Sequence, residues 1–305
     1  AIFEESVDLS TGDRTAYIDE ACGEDETLKQ AVLTLLKHAS DDDDDLAAGT
    51  DWANAPDKLI GSTIENYTLR SVLGEGGFGV VYLADQTSPV KRRVAVKVIK
   101  LGMDTKAVIA RFNAERQALA LMDHTNVASI FDGGTTDSGR PYFVMEYVKG
   151  VPITEFCDSQ RLDLNDRINL FRDTCAAIQH AHTKGVIHRD IKPNNILVTF
   201  KDGHPVVKVI DFGIAKAMDR QLTEQTIFTE SGQFVGTPEY MSPEQAQMSA
   251  LDIDTRSDIY SLGVLLYELL TGQLPFDTKT LRAAGLAEIQ RVIREDTPPK
   301  PSTRL

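Results

Sequence analysis

Short runs of β-branched and aromatic residues, often alternating with polar ones, dominate the chain between residues 67 and 146. Such runs are typical of strands in an antiparallel sheet. The predicted strands are residues 67–73, 80–84, 93–99, 129–131 and 142–146. A single helix is predicted among them, over residues 105–122, because Val108, Phe112, Leu119 and Met122 recur at helical spacing.

The pattern becomes mainly helical after residue 150. An amphipathic helix is predicted over residues 164–182, with Gly185 as its stop signal. A second helix, over residues 258–270, is apolar on nearly every side and is therefore expected to be buried.

A hairpin is predicted between these two helices, because residues 196–200 and 206–210 flank the turn pair Asp202-Gly203. The expected fold class is α+β. A small antiparallel sheet lobe with one helix, residues 67–148, is joined to a larger, mainly helical lobe, residues 149–305.

The first 60 residues differ from the rest in charge. They carry 16 Asp and Glu against 4 Lys and Arg, or −12, which leaves 30 against 28, or −2, for residues 61–305. Residues 1–40 predict two short amphipathic helices, and residues 41–60, with five consecutive aspartates, predict a solvated acidic linker. The acidic helices are expected to bind a partner or the chain's own sheet lobe, although a plain spacer is the alternative.

Composition excludes several function classes. No apolar run in the 305 residues approaches the roughly 20 needed to cross a bilayer. The net charge of −14 disfavours a nucleic-acid partner. Three cysteines without metal or disulfide spacing favour a reducing, cytoplasmic location. Because the chain begins at Ala1 without a leader, we expect a segment of a longer protein, in which a membrane anchor could lie elsewhere.

A glycine-rich stretch, GEGGFG at residues 74–79, lies between two predicted strands. Glycines at a hairpin tip let backbone amides approach phosphate oxygens, because no Cβ obstructs them. The pattern GxGxxG also marks dinucleotide-binding folds, but there it must open a helix, whereas Val80 and Val81 continue as strand. A purely structural glycine turn is the other alternative.

One lysine and one glutamate occupy unusual positions. Lys97 ends the run VAVK in an alternating strand and shares a face with Ala95, and Glu115 lies on the apolar stripe of the predicted helix. A buried carboxylate needs a cation, so we predict that Lys97 and Glu115 pair rather than that Lys97 is an ordinary surface residue.

The densest polar cluster in an apolar context is HRDIKPNN at residues 188–195, followed by DFG at residues 211–213. Asp190 could accept the proton of an attacking hydroxyl, and Lys192 could neutralise charge on a phosphoryl group in transfer. Asn195 and Asp211 could supply oxygen ligands to magnesium. A noncatalytic loop is the alternative.

These motifs, with Ser242-Pro243-Glu244 and Asp258 in the same order, resemble those of a eukaryotic-type (Hanks-type) protein kinase, in its bacterial serine/threonine branch. The resemblance covers residues 67–305 and implies the bilobal kinase fold. It implies that ATP and Mg²⁺, or Mn²⁺ in its place, bind between the lobes. It also implies catalytic roles for Lys97, Glu115, Asp190 and Lys192, and metal binding by Asn195 and Asp211.

The same resemblance implies an ATP site. Its hinge contacts would be Glu146 and Val148, and Met145 would control access to the pocket. Val81, Ala95 and Leu197 would enclose the adenine ring. The complete implied ATP-binding set is Leu73, Gly74, Gly76, Gly79, Val81, Ala95, Lys97, Met145, Glu146, Val148 and Leu197.

Lys192 and Thr237 resemble the serine/threonine branch more than the tyrosine branch, so an aliphatic hydroxyl is the expected acceptor. Arg189 beside Asp190 suggests regulation by phosphate between Asp211 and Glu244. The candidate regulatory hydroxyls are Thr223, Thr226, Thr229, Ser231 and Thr237.

The sequence departs from the family in two ways. It has Ser242 where the family has alanine, and it stops before the family's last helices, so Glu244 is expected to lack its arginine partner. We therefore expect a non-specific protein serine/threonine kinase that acts on protein substrates. The alternative is a catalytically silent nucleotide-binding docking module.

Overall fold

A computed structural model of the chain describes residues 59–76, 79–99, 122–212, 237–246, 253–276 and 286–304. The predicted helices of residues 1–40 and the linker as far as residue 58 lie outside these described residues. The predicted helix at 105–122 does so as well, except for Met122 at its end.

The antiparallel sheet predicted for residues 67–146 is confirmed, and its strands are longer than expected. The strands are β1 (Thr63–Ile64), β2 (Tyr67–Gly76), β3 (Gly79–Gln86), β4 (Arg92–Ile99), β5 (Ile130–Thr135) and β6 (Pro141–Glu146). They are ordered β1-β2-β3-β4-β6-β5, and each pair is antiparallel. The two-residue strand β1 was not predicted.

The alternation of side chains along β4 separates two apolar clusters. Val94, Val96 and Val98 belong to a cluster on one face of the sheet. Ala95 points to the other face, where Met145 of β6 joins it in a core that continues into the helical part of the chain. The period of two along the strand therefore places Ala95 and Lys97 on the face nearest the helices.

Gly79, the first residue of β3, is needed for close packing of the sheet. A Cβ atom at this position would overlap the backbone carbonyl oxygen of Val98 in β4. Gly74 and Gly76 of β2 differ, because a Cβ at either position would meet no atom within 4 Å.

The second half of the chain is mainly helical, as predicted. Its helices are α1 (Ile153–Ser159), α2 (Leu164–Thr183), α3 (Pro243–Ala246), α4 (Thr255–Thr271) and α5 (Leu286–Glu295). The predicted hairpin is present as β8 (Ile196–Lys201) and β9 (His204–Val209), with β7 (Val151–Pro152) beside β8. No helix among the residues described above is both long and apolar enough to cross a membrane.

Helix α4 begins at the N-cap Asp254, whose side chain accepts from the Arg256 N–H, and ends at Gly272 in the left-handed conformation with φ 68°. The expected burial of this helix is confirmed for five of its apolar residues, Leu262, Val264, Leu265, Tyr267 and Leu269, and its first turns bury polar side chains as well. Ser257, Asp258 and Ser261 are buried there. A buried polar side chain needs partners, and each of these three finds one in a segment that packs against the helix.

Asp258 holds the loop of residues 188–195. Its carboxylate is 1% exposed. It accepts from the backbone N–H groups of His188 and Arg189, each at 2.8 Å, and from His182 Nε2 at 2.7 Å. Burial acts to raise the pKa of Asp258, but the hydrogen bond from His182 and those from the two amides outweigh it, so the pKa is lowered. Asp258 therefore stays ionised and fixes the backbone of the loop.

Arg189 has a left-handed backbone, with φ 63°. A non-glycine residue in this conformation costs of the order of 1 kcal/mol or more, and it persists only where its surroundings impose it. The Asp258 contact to the Arg189 amide supplies one such constraint.

Two further partners of α4 lie in the segment 237–246. Ser261 Oγ donates to the Tyr240 carbonyl at 2.7 Å. Ser257 Oγ donates to Glu244 Oε1 at 2.6 Å. The sequence predicts that Glu244 lacks an arginine partner, and in the structure a serine of α4 donates a hydrogen bond to its carboxylate.

His188 is buried and neutral in this arrangement. Its Nδ1 accepts from the Asp190 N–H at 3.3 Å, so Nε2 carries the hydrogen and donates to the Ile210 carbonyl at 3.1 Å. Burial lowers the pKa of His188, against the opposing effect of the Asp258 and Asp190 carboxylates.

We predict that Gly79→Ala lowers the free energy of unfolding by about 1–3 kcal/mol, because the added methyl must displace the β4 backbone. Gly76→Ala is the matched control. It should change stability by no more than about 0.5 kcal/mol, because its Cβ would point into open space. Urea titration of both variants measures this. Equal losses in the two variants would contradict the assignment of Gly79 to sheet packing.

We also predict that stability falls as the pH drops below about 6.5, the ordinary pKa of histidine. Below that pH the unfolded chain binds a proton at His188 while the folded chain, whose pKa there is lower, does not. One such proton changes the free energy of unfolding by at most about 1.4 kcal/mol per pH unit.

The His188→Gln variant tests this by the slope of stability against pH, measured between pH 6.5 and 5.5. The variant should be less stable at pH 7.5 and yet lose less stability over that interval than the wild type. An unchanged slope would show that His188 does not carry the effect.

Candidate active site

Four of the predicted ATP-site residues share one face of the sheet. Cross-strand pairing places Val81 opposite Lys97 and Ala95 opposite Met145, and alternation along β4 puts Ala95 and Lys97 on the same face. Ala95 and Met145 are 6% and 8% exposed, and Val81 packs against the same core. The sheet therefore places three apolar side chains and one ammonium group on the same face.

The other predicted ATP-site residues lie in β2, at the start of β3, around the end of β6 and in β8. Gly74 and Gly76 are in β2, with space around their Cα atoms that a side chain would fill. Leu73, beside them, is 43% exposed. Leu197 in β8 and Val148 after β6 are both half-buried.

Glu146, the last residue of β6, is fixed by contacts on both its backbone and its side chain. Its N–H donates to the Ser129 carbonyl at 2.8 Å. Its carboxylate accepts from Lys208 Nζ at 2.9 Å and from the Ser129 N–H at 3.2 Å. Lys208 belongs to β9, so this ion pair connects the end of the large sheet to the hairpin.

Asp190 is held at both its backbone and its side chain. Asn195 Nδ2 donates to the Asp190 carbonyl at 2.8 Å and to its Oδ2 at 2.9 Å. Lys192 Nζ lies 2.9 Å from the same Oδ2. The carboxylate is thus oriented by an amide and paired with a cation, both from its own loop.

Asn195 and Asp211 are brought together through Ile210. The Ile210 N–H donates to the Asn195 carbonyl at 2.9 Å, and its own carbonyl accepts from His188. Asp211 follows in the left-handed conformation, φ 56°. Phe212 is buried, with its ring centroid 4.6 Å from that of His188. The loop 188–195 and residues 210–212 therefore form one hydrogen-bonded unit.

Asp211 and Lys97 form an ion pair between the end of β9 and the sheet. Their side chains are 28% and 11% exposed. Lys97 is thus the residue through which the large sheet meets the loop unit. The predicted partner of Lys97, Glu115, lies outside the described residues.

The oxygen ligands proposed from the sequence fit a hard divalent cation. Because Asn195 Nδ2 donates to Asp190, the amide must turn its Oδ1 away from that contact. Oδ1 and the Asp211 carboxylate are the oxygen types that such a cation prefers. Among the described residues no group of three or more His, Cys, Asp or Glu could enclose a metal. A small hard cation such as Mg²⁺ usually takes its remaining ligands from phosphate and water.

Of the five regulatory candidates, only Thr237 lies among the described residues. Thr237 precedes a 3-10 turn, Pro238–Tyr240, and is half-buried. Thr223, Thr226, Thr229 and Ser231 lie outside the described residues.

Sequence reasoning missed three residues that fix this site. His182 holds Asp258, Lys208 holds Glu146, and Gln245 Nε2 donates to the Arg189 carbonyl at 2.8 Å. These contacts join residues at least 56 positions apart, so no local pattern predicts them. The spacing of Ser242 and Gln245 matches a capping box, which was the one available signal for Gln245.

The sequence matches the family model of the protein kinase domain over residues 67–304. Protein kinases take their phosphoryl group from ATP and use a divalent metal ion.

Two bacterial relatives share this match. Serine/threonine-protein kinase Pkn1 of Myxococcus xanthus is 40% identical over 251 residues, which is 82% of this chain and 34% of Pkn1. PrkC of Bacillus subtilis, also a serine/threonine-protein kinase, is 38% identical over 235 residues. The aligned part covers 76% of this chain and 34% of the PrkC chain. The chain therefore spans about a third of the length of these relatives.

The fold has a matching crystal structure. A cysteine mutant of the Mycobacterium tuberculosis PknI kinase domain superimposes with a TM-score of 0.57 at 25% identity, covering 80% of this chain and 83% of that domain. The family model and the relatives show that this chain belongs to the protein kinase family, in its bacterial Hanks-type serine/threonine branch.

Proposed function

We propose that this chain is an ATP-dependent protein serine/threonine kinase, which transfers the γ-phosphoryl group of ATP to serine or threonine hydroxyls of proteins. The observation that carries the proposal is the pairing of Asp190 with Lys192 at 2.9 Å, in a loop that also orients Asp190 through Asn195. A carboxylate beside a cation can receive a hydroxyl proton while the cation balances charge on the phosphoryl group.

Asp190 would orient the acceptor hydroxyl and take its proton. Because Asn195 holds both the backbone and the carboxylate of Asp190, little reorganisation is needed when the acceptor arrives. Lys192 would neutralise charge that develops on the transferred group. Catalysis would consist mainly of positioning and electrostatic stabilisation.

Lys97 would bind the α and β phosphates of ATP. Its pairing with Asp211 supports this role, because that ion pair keeps the ammonium at the junction of the sheet and the loop unit. Glu115 is proposed to support Lys97 in the same way. Gly74 and Gly76 would let the β2 backbone approach the phosphates, and the open space at both positions supports this.

The adenine ring would lie against Val81, Ala95 and Leu197, near Met145. Val81, Ala95 and Met145 belong to or pack against one apolar cluster, and a base needs such apolar contacts. Glu146 and Val148 are proposed as the backbone contacts of the ring, and Lys208 would fix the first of them.

Mg²⁺ is the proposed metal, with Mn²⁺ as its substitute. Asn195 and Asp211 would hold it through oxygen atoms. The bound ion would supply positive charge that offsets the negative charge of the phosphates.

Serine or threonine acceptors are proposed because Lys192 and Thr237 match that branch and because both relatives carry that name. Phosphorylation of Thr223, Thr226, Thr229, Ser231 or Thr237 is proposed to regulate the enzyme. No observation favours the alternative of a silent docking module. The domain boundaries, the cytoplasmic location and a partner for residues 1–40 stay predictions.

We predict that Asp190→Asn lowers kcat by about 10²–10⁴-fold, because the amide cannot take the acceptor proton. The KM for ATP should change little, since Asp190 would not touch the adenine or the α and β phosphates. The measurement is phosphate transfer from labelled ATP to a basic test protein in the presence of Mg²⁺, followed by identification of the labelled amino acid.

Asp202→Asn is the matched control. It makes the same chemical change at the tip of the β8–β9 hairpin, where Asp202 has φ 51°, a conformation that asparagine also tolerates. This variant should retain wild-type kcat. Equal activity of Asp190→Asn and the wild type, or label on tyrosine alone, would refute the proposed function.

A further inference from the structure

The peptide unit between Arg189 and Asp190 is held at both ends by side chains, one from its own loop and one from α3. Its N–H, which belongs to Asp190, donates to His188 Nδ1 at 3.3 Å. Its carbonyl, which belongs to Arg189, accepts from Gln245 Nε2 at 2.8 Å. This peptide carries Asp190, so its orientation determines where that carboxylate can point.

The backbone conformation that precedes this peptide is unfavourable and needs contacts to maintain it. Arg189 has φ 63°, in the left-handed region, where a side chain is disfavoured. Rotation about the N–Cα bond of Arg189 to a negative φ would relieve that strain and would turn the following peptide away from His188 and Gln245. The orientation of Asp190 therefore depends on the side chains of His188 and Gln245 that hold this peptide.

Gln245 reaches this peptide from a fixed position. Its Oε1 accepts from the Ser242 N–H at 3.0 Å, and its own N–H donates to Ser242 Oγ at 3.3 Å. This reciprocal pair is a capping box on the short helix α3. The glutamine amide thus uses its oxygen for the cap and its NH₂ group for the Arg189 carbonyl.

The helix that carries Gln245 is itself anchored. Ser242 is buried, and Ala246 packs with Ile289 of α5. Glu244 accepts from Ser257 of α4. Gln245 is consequently part of a rigid element and can impose a position on the loop.

We propose that Gln245 is a positioning residue for phosphoryl transfer: its amide NH₂ fixes the Arg189–Asp190 peptide and thereby the aim of the Asp190 carboxylate. This inference rests on the proposed kinase function, in which Asp190 orients the acceptor. Gln245 itself touches neither the nucleotide face of the sheet nor the reacting atoms in this account.

The chemistry of the amide gives a selective test. In Gln245→Glu the carboxylate can still accept from the Ser242 N–H, since glutamate is also a capping-box residue. It cannot donate to the Arg189 carbonyl when ionised. This variant therefore removes the contact to the loop and keeps the cap.

Gln290→Glu is the matched control. Gln290 Nε2 of α5 donates to the Ala246 carbonyl at 2.7 Å, so this change removes the same kind of hydrogen bond and adds the same charge at the other end of α3. The control leaves the Arg189 carbonyl contact in place.

We expect Gln245→Glu to lower kcat about five- to tenfold, the loss expected for one hydrogen bond of ordinary strength. The KM for ATP should stay within twofold of wild type, and the melting temperature should match that of Gln290→Glu. Gln290→Glu should keep wild-type kcat. Wild-type kcat in Gln245→Glu, or equal losses in both variants, would overturn the inference.

Amide hydrogen exchange separates a failure of this inference from a failure of the proposed function. The Asp190 amide should exchange faster in Gln245→Glu than in Gln290→Glu, whether or not the wild type phosphorylates the test protein. If the wild type is inactive and the exchange differs, the proposed function fails and the positioning contact stands. If the exchange is the same in both variants, the positioning contact is refuted.

Discussion

A carboxylate removed from water must be compensated by hydrogen bonds, and the compensation of Asp258 determines the geometry of the loop that carries Asp190. Asp258 is 1% exposed and accepts from His182 and from the amides of His188 and Arg189. Loss of any of these donors would leave a buried charge poorly satisfied. The strained backbone of Arg189 is thus maintained by the requirement to solvate Asp258 within the protein.

The loop that Asp258 fixes is connected to the rest of the site by a series of hydrogen bonds and one ion pair. His188, held by Asp258, donates to the Ile210 carbonyl, and the Ile210 amide donates to Asn195. Asp211, the next residue, pairs with Lys97 of the sheet. Helix α4 is therefore connected, through the loop unit, to Lys97 of β4. Among the described residues, the ion pairs Lys97–Asp211 and Lys208–Glu146 both connect the large sheet to the segment 188–212.

The local patterns of the sequence predicted most of the described elements. The β-branched runs predicted β2, β3, β4 and β6 to within three residues at either end, because side-chain period and turn residues are local properties. Gly185 marked the end of α2 for the same reason, since the helix ends at Thr183 and Gly185 has φ 75°. Helix α1, with seven residues, is too short for its period to be recognised.

The contacts that give the site its geometry could not be predicted in the same way. Asp258 was placed among the family motifs, but its role depends on His188 and Arg189, about 70 residues earlier in the chain. The serines and the aspartate in the first turns of α4 are buried because other segments supply their partners. Glu244 likewise accepts a hydrogen bond from Ser257, a residue of another helix that packs against its own. Such pairings depend on tertiary packing, which a single sequence does not encode in its local spacing.

The most direct test of this account is hydrogen exchange of the Arg189 amide in Asp258→Asn. Asparagine offers one oxygen and places an NH₂ group against donors that now meet a carboxylate, so the loop should lose its anchor. We predict that the Arg189 amide exchanges about 10- to 100-fold faster, as expected when a hydrogen bond to a charged group is lost. The buried Leu265 amide of the same helix reports global unfolding. Unchanged protection at Arg189, or a loss no larger than at Leu265, would contradict the claim that Asp258 holds the catalytic loop.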